Sequence, residues 1–208
     1  MGFNDILKKV WYFLWEEESI WSWIANVVLA FVIIKFLLYP GLGFVLGTPA
    51  PIVAVVSGSM EHEGNFDEFW SQPMCCNPPC SRQLVQGEYY EKANITRAQF
   101  RDFTFVNGFN KGDIMILYSP KKAEVGDSIV YLVSHRPDPI IHRVIDLKEE
   151  NGKRLFFTKG DHNCDAGDFE RNIPEDKVIG KAVWRIPFLG WVKIIAVWLW
   201  QTLIGVFR

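Results

Sequence analysis

Apolar positions in this chain follow three patterns. From Trp21 to about Val45 they are nearly unbroken, and Lys35 is the only charged residue between Glu18 and Glu61. Crossing a hydrocarbon core takes about 20 such residues, so this stretch predicts a transmembrane helix. Pro40, Gly41 and Gly43 predict that the helix loosens as it leaves the bilayer. Before the span, Phe3, Ile6, Leu7, Val10 and Leu14 recur at helical spacing with Lys8 and Lys9 off the stripe, which predicts a helix lying on the membrane surface. At the other end, residues 188–207 are largely apolar, carry Lys193 as their one charged residue and are rich in Trp. That segment is long enough to span, and equally suited to lie flat in the interface.

A different period occupies the middle of the chain. Residues 51–56, 113–118, 127–133, 139–146, 154–160 and 177–186 are short β-branched or aromatic runs separated by Gly, Pro, Asp and Lys, as strands are. Asn151-Gly152, between two of them, predicts a two-residue hairpin turn. Residues 61–111 break the series. They are polar and aromatic, and read as an inserted loop or short helical subdomain. The expected fold is mainly β, sandwich- or barrel-like, carried by a membrane anchor. Its parts are a surface segment (1–19), the anchor (20–46), a β domain (47–187) containing the insertion, and a C-terminal hydrophobic helix (188–208).

Flanking charge orients the anchor. Lys8 and Lys9 precede the span, and after Lys35 the next cation is Arg82. The positive-inside rule therefore places the N-terminus in the cytoplasm and the β domain outside the cell membrane. The apolar run is too long for a cleaved signal peptide and ends in no small-residue cleavage site, so a retained anchor is expected. The 208 residues include sixteen Phe and nine Trp, the Trp clustered near both ends, and carry a net charge of −2. Without a basic block, nucleic acid is not an expected partner; membrane lipid is. Cys75, Cys76, Cys80 and Cys164 fall on the outer side, where disulfides persist. Adjacent cysteines rarely pair, which leaves Cys80 and Cys164 as the partners open to Cys75 and Cys76. Asn94-Ile95-Thr96 fits the glycosylation pattern, a triplet common by chance.

Chemistry enters with "SGSM" (57–60), where two hydroxyls flank a glycine just after the first apolar strand. A serine nucleophile needs a base within hydrogen-bond reach and a donor for the oxyanion. Of the four histidines, His142 sits on a β run that would hold it rigidly. His135 lies in a turn-like stretch, His62 points into the insertion, and His162 lies among acids. Asp161, Asp165 and Asp168, in "TKGDHNCDAGDFE" (158–170), are the carboxylates available to orient a histidine. The spacing in that loop fits neither an EF-hand nor a zinc pair, so neither metal nor other cofactor is expected.

Taken in order, these pieces resemble the type I signal peptidases, of the archaeal and endoplasmic-reticulum branch that uses histidine. The resemblance rests on the anchor, "SGSM", "KGDIMIL" (111–117), "VGDSIVY" (125–131), "PIIHRV" (139–144), "FTKGDHN" (157–163) and "VIGKAVWRIPFLGWV" (178–192). It implies a serine endopeptidase that removes signal peptides from secretory preproteins at the outer membrane face, beside a protein translocation channel. It implies Ser59 as nucleophile, His142 as general base, Asp168 as the orienting acid with Asp165 in reserve, and Asp161 as a structural or assisting carboxylate. Ser57 and the Ser59 backbone N–H would serve the oxyanion, and Met60 would anchor the turn by packing. Substrate would pair as a strand beside 51–57, with Val53, Val55 and Ile140 walling shallow pockets for small side chains. The insertion departs from the family pattern. Two other readings stay open: a non-catalytic membrane-anchored β module binding a translocon or envelope partner, and a serine peptidase using Lys159 as base.

Overall fold

The structure, a computed structural model, describes residues 2–74, 85–134, 136 and 138–206. The chain divides after Val45 into two compact units.

The first unit is helical. Helix α1 (Phe3–Trp15) begins after Gly2, and helix α2 (Ile20–Ile33) is capped by Ser19, whose hydroxyl accepts from the Ser22 N–H. Asn26 of α2 donates to the Leu14 carbonyl at 2.7 Å and so ties the two helices together. The helix does not loosen at Pro40, as its sequence suggests. It passes through a π-helical turn (Ile34–Leu38) into α3 (Tyr39–Leu46). Proline has no N–H and its ring crowds the carbonyl four residues back. The wider turn absorbs that clash, with the Tyr39 N–H reaching back to Ile34. Gly47, at φ +66°, ends the helix in the left-handed conformation that favours glycine. Ile20–Leu46 is long and apolar enough to cross a membrane.

The second unit is built on one antiparallel sheet of seven strands: β1 (Ile52–Ala54), β2 (Ile114–Tyr118), β3 (Ser128–Tyr131), β4 (Ile140–Glu150), β5 (Lys153–Lys159), β6 (Ile173–Pro174) and β7 (Val178–Ile186). Their order is β1-β2-β7-β3-β4-β5-β6. The mainly β expectation therefore holds, and six of the seven strands fall on the runs seen in the sequence. The β4–β5 turn closes at Asn151 and Gly152, both with positive φ, so that Glu150 faces Lys153. Two apolar clusters fill the sheet. One gathers Val55, Met60, Phe109, Met115, Leu117, Val130, Ile141 and Ala182. The other is built on Ile129, Tyr131, Val144 and Phe156.

The insertion is a helical subdomain with its own core. Helices α4 (Phe66–Ser71), α5 (Gln86–Lys92) and α6 (Arg97–Arg101) start at side-chain or backbone caps, the clearest being Asn65, which accepts from two N–H groups. They enclose Phe66, Phe69, Trp70, Tyr90, Ile95 and Phe100. Burying one such side chain is worth roughly 1.5–3 kcal/mol over leaving it exposed, enough for the aromatic set to fix three short helices. Gly108 brings the chain back to the sheet. Its φ is +65°, and a Cβ there would stand 2.3 Å from the Met60 carbonyl oxygen and 2.6 Å from the His62 ring. Gly152, at φ +71°, has nothing within 4 Å of that position. Gly108→Ala should therefore lower the thermal midpoint well beyond Gly152→Ala. The second change carries only the left-handed penalty of about 1–2 kcal/mol. Equal midpoints would contradict the close approach.

The second unit ends in helix α7 (Trp191–Val206), entered through Phe188 at φ +63° and Gly190, whose N–H donates to the Gly112 carbonyl. Its 16 residues rise about 24 Å, short of a hydrocarbon core of about 30 Å.

Candidate active site

Ser59 stands on the turn that leaves β1, closed by the Glu61 N–H donating to the Gly58 carbonyl. Gly58 does not have a left-handed backbone. A Cβ at this position would fall 2.8 Å from the Glu61 carboxylate, which the glycine leaves room for. Met60 is fully buried in the first cluster, so it anchors the turn from beneath.

His142 lies on β4 opposite Ile129 of β3, almost fully buried. Its Nε2 is 2.9 Å from Ser59 Oγ. Its Nδ1 is hydrogen-bonded to Oε1 of Glu170, which is likewise buried. An ionised carboxylate only accepts, so Nδ1 carries the proton and Nε2 presents its lone pair to the serine O–H. Ser57 Oγ is 3.1 Å from Ser59 Oγ. With the Ser59 proton directed at Nε2, the Ser57 hydroxyl donates in that pair.

The acid facing His142 is therefore Glu170, not Asp168. A 3₁₀ turn (Asp168–Glu170) explains the difference. Asp168 opens the turn and is exposed. Glu170, three residues past Gly167, folds back so that its other oxygen accepts the Gly167 N–H at 2.6 Å. An acid three residues after a capping position is a readable signal for such folding back, but the spacing taken from the family pattern pointed two residues early. Asp165, the reserve candidate, is exposed and accepts from Tyr89 at 3.0 Å.

Asp161 has a different place. It is fully buried and receives Arg143 Nε at 3.0 Å and Nη2 at 2.7 Å, His62 Nε2 at 2.8 Å and the Tyr90 hydroxyl at 2.7 Å. Burial alone would raise its pKa. The Arg143 charge and the bonds from His62 and Arg143 outweigh that and hold it well below the usual carboxylate range. Lys159 is also buried. Loss of solvent pulls its pKa down to about 8, against the opposing pull of Asp161, Glu170 and Asp165. Its amine donates to Gln86 and to the carbonyls of Gly160 and Asp161, while the imidazole of His142 is the ring that stands beside Ser59 Oγ.

A cleft of about 470 Å³ opens over Ser59 and His142, with Ala54, Val56, Ile140 and Phe169 among its walls. Arg136 lies across Phe169, 4.6 Å from the ring centroid. Ile140 lines the cleft as expected. Val53 and Val55 do not: Val55 is in the first core cluster and Val53 packs against it. Alternate residues of an extended chain face opposite sides, so the cleft-facing pair is Ala54, at the end of β1, and Val56, just beyond it. Cys164 is disulfide-bonded. Cys75, Cys76, Cys80 and His135 lie outside the described residues. No group of three or more metal-ligating side chains occurs among the described residues.

No protein-family model matches the chain. Among curated proteins it is similar to the signal peptidase complex catalytic subunit SEC11 of Eremothecium gossypii, 29% identical over 168 residues, 77% of this chain and 74% of the relative. The subunit of the same name from Colletotrichum graminicola is 27% identical over 198 residues, 88% of each chain. That of Candida tropicalis is 35% identical over 95 residues, 42% of this chain and 57% of the relative. These relatives are homologues of the chain, the first two over most of its length.

Proposed function

We propose that this homologue of signal peptidase catalytic subunits is a membrane-anchored serine endopeptidase that removes signal peptides from secretory preproteins. The observation that carries the reading is the continuous path from Ser59 Oγ through His142 to Glu170, at the floor of an open cleft. In this reading His142 Nε2 takes the serine proton as Oγ attacks the scissile carbonyl, and Glu170 offsets the charge that forms on the imidazole. His142 then returns the proton to the departing amine, and a water repeats the sequence to free the acyl chain. The Ser57 hydroxyl and the Ser59 backbone N–H stabilise the oxyanion.

Among the described residues strand β1 pairs only with β2, which leaves its other edge to receive an extended substrate between β1 and the start of β4. Ala54, Val56 and Ile140 leave room for small side chains on that strand, the kind that precede a signal-peptide cut. The span Ile20–Leu46 would hold the enzyme in the membrane with its N-terminus cytoplasmic and its cleft on the extracytoplasmic side. Other subunits and a translocation channel are the partners this role calls for.

Substrate choice tests the reading. Purified protein in detergent should cut a synthetic preprotein with alanine before the scissile bond. Replacing that alanine by tryptophan should lower kcat/KM by at least about 100-fold, since a shallow pocket rejects the larger ring. Equal cleavage of both peptides would contradict the assignment. Ser57→Ala should lower kcat about 100- to 1,000-fold with KM little changed, because the donor acts on the oxyanion and not on the bound ground state. An unaltered kcat would remove Ser57 from that role.

A further inference from the structure

The mechanism makes no use of the helical insertion, yet the insertion supplies most of what surrounds Asp161. His62 and Tyr90, both within it, donate to the two oxygens of that carboxylate. Arg143, the third donor, is itself held by the insertion: its Nη atoms donate to the carbonyls of Thr104 and Phe105 at 3.0 Å, and its guanidinium lies 4.7 Å from the centre of the Phe100 ring. Gln86, at the start of α5, accepts from Lys159.

Asp161 is in turn flanked by the two residues that touch the reacting pair. On one side the His162 N–H donates to the Ser59 carbonyl at 2.8 Å. On the other, Gly160 packs so closely on the imidazole that a Cβ there would stand 2.9 Å from His142 Nε2. The Asp161 N–H donates to the Met60 sulfur at 3.4 Å, beneath the serine turn. Arg143 follows His142 on β4, so the same strand sends one side chain to the cleft and the next to the insertion.

We infer that the insertion is a clamp for the catalytic turn, with His62 and Tyr90 as positioning residues that act through Asp161 on the Ser59–His142 pair. The inference rests on the serine–histidine reading above. It gives a role to a histidine that is otherwise costly. His62 stacks on Phe69 with centroids 3.6 Å apart, its side chain fully buried, and its Nδ1 has no hydrogen-bond partner among the described residues. A phenylalanine would fill that slot without burying an unsatisfied nitrogen. The ring nitrogen that does bond is the one aimed at Asp161.

Stability and activity therefore separate at this position. His62→Phe keeps the aromatic stack and loses the bond; His62→Gln keeps a donor and loses the stack. The clamp predicts that kcat falls in the order wild type, His62→Gln, His62→Phe, while the thermal midpoint of His62→Phe is at least that of His62→Gln. Tyr90→Phe, which removes only a hydroxyl, should lower kcat about 10-fold, and the His62→Phe/Tyr90→Phe double variant about 100-fold, the scale of sub-ångström misplacement of reacting groups. KM should stay within about 2-fold throughout, since neither side chain reaches the cleft.

The assay uses the full chain in detergent and a synthetic preprotein with two lysines, ~12 leucines and alanines, and Ala-Gln-Ala before the cut, with Ser59→Ala alongside. Full kcat in His62→Phe and Tyr90→Phe, a rise in KM instead, or a kcat order that follows the thermal midpoints would overturn the clamp while leaving the mechanism standing. Failure of both single variants to fold would also overturn it, since the bonds would then serve the fold alone. Cleavage that persists in Ser59→Ala would overturn the mechanism itself.

Discussion

Ser59→Ala is expected to lower kcat for preprotein cleavage by roughly 10⁴- to 10⁶-fold, the scale seen when a serine nucleophile is removed from an acyl-transfer site. The oxygen lost is the one 2.9 Å from His142 Nε2. The neighbouring Ser57 hydroxyl does not replace it, because it bonds to Ser59 Oγ at 3.1 Å and no bond joins it to the imidazole among the described residues. Ser59 is only half-buried and its side chain fills no core position, so the thermal midpoint should hardly move. His142→Ala should cost about as much, and the double change little more than either alone, because nucleophile and base act in the same step. Additive losses would mean that the two residues serve different steps. The rate of product formation under saturating substrate, with melting curves for each variant, decides this.

Three alanine substitutions at the acids should separate cleanly. Glu170→Ala removes the carboxylate on His142 Nδ1. The imidazole then loses both the bond that fixes its tautomer and the charge that offsets its protonation, so kcat should fall about 10²- to 10⁴-fold. Asp168→Ala should change kcat by less than about 2-fold, because Asp168 sits exposed at the start of the 3₁₀ turn and its hydrogen bond among the described residues is made by its backbone carbonyl, which accepts the Arg171 N–H. Asp161→Ala should fail for another reason. It leaves Arg143 fully buried without its anion, and breaking such a pair costs about 3–5 kcal/mol. That variant should show a depressed thermal midpoint and poor yield, where Glu170→Ala shows a slow enzyme of near-normal stability. A slow Asp168→Ala beside an active Glu170→Ala would reverse the assignment.

These acids also mark the limit of what the chain discloses on its own. The β-branched runs place six strands because each is bounded by turn residues and buries its side chains. Glu170 escapes because its role depends on a 3₁₀ turn that swings Asp168 outward, and on a side chain one methylene longer than aspartate. Val53 and Val55 face the core and not the cleft, a difference the sequence hides because "PIVAVV" is apolar at every position and carries no alternation from which to read parity. Only the packing of Val53 and Val55 on the core fixes Ala54 and Val56 as the residues that look into the cleft. The apolar run to about Val45 gives the length of the anchor, but composition does not encode the π turn that carries the helix through Pro40. His62 and Tyr90 are remote from Asp161 in sequence, and nothing local to either announces a buried carboxylate between them. His142 and Ser59, by contrast, stand out because each sits in a short motif on or just after a β run.

The most direct measurement is the mass of the products when purified full-length protein meets a preprotein whose sequence contains one signal-peptide cut. The serine–histidine–glutamate account predicts two fragments from a single cut after the small residue, formed by the wild type, formed far more slowly by Glu170→Ala, and absent with Ser59→Ala. Intact preprotein with the wild type, or the same two fragments at undiminished rate from Ser59→Ala, would contradict it.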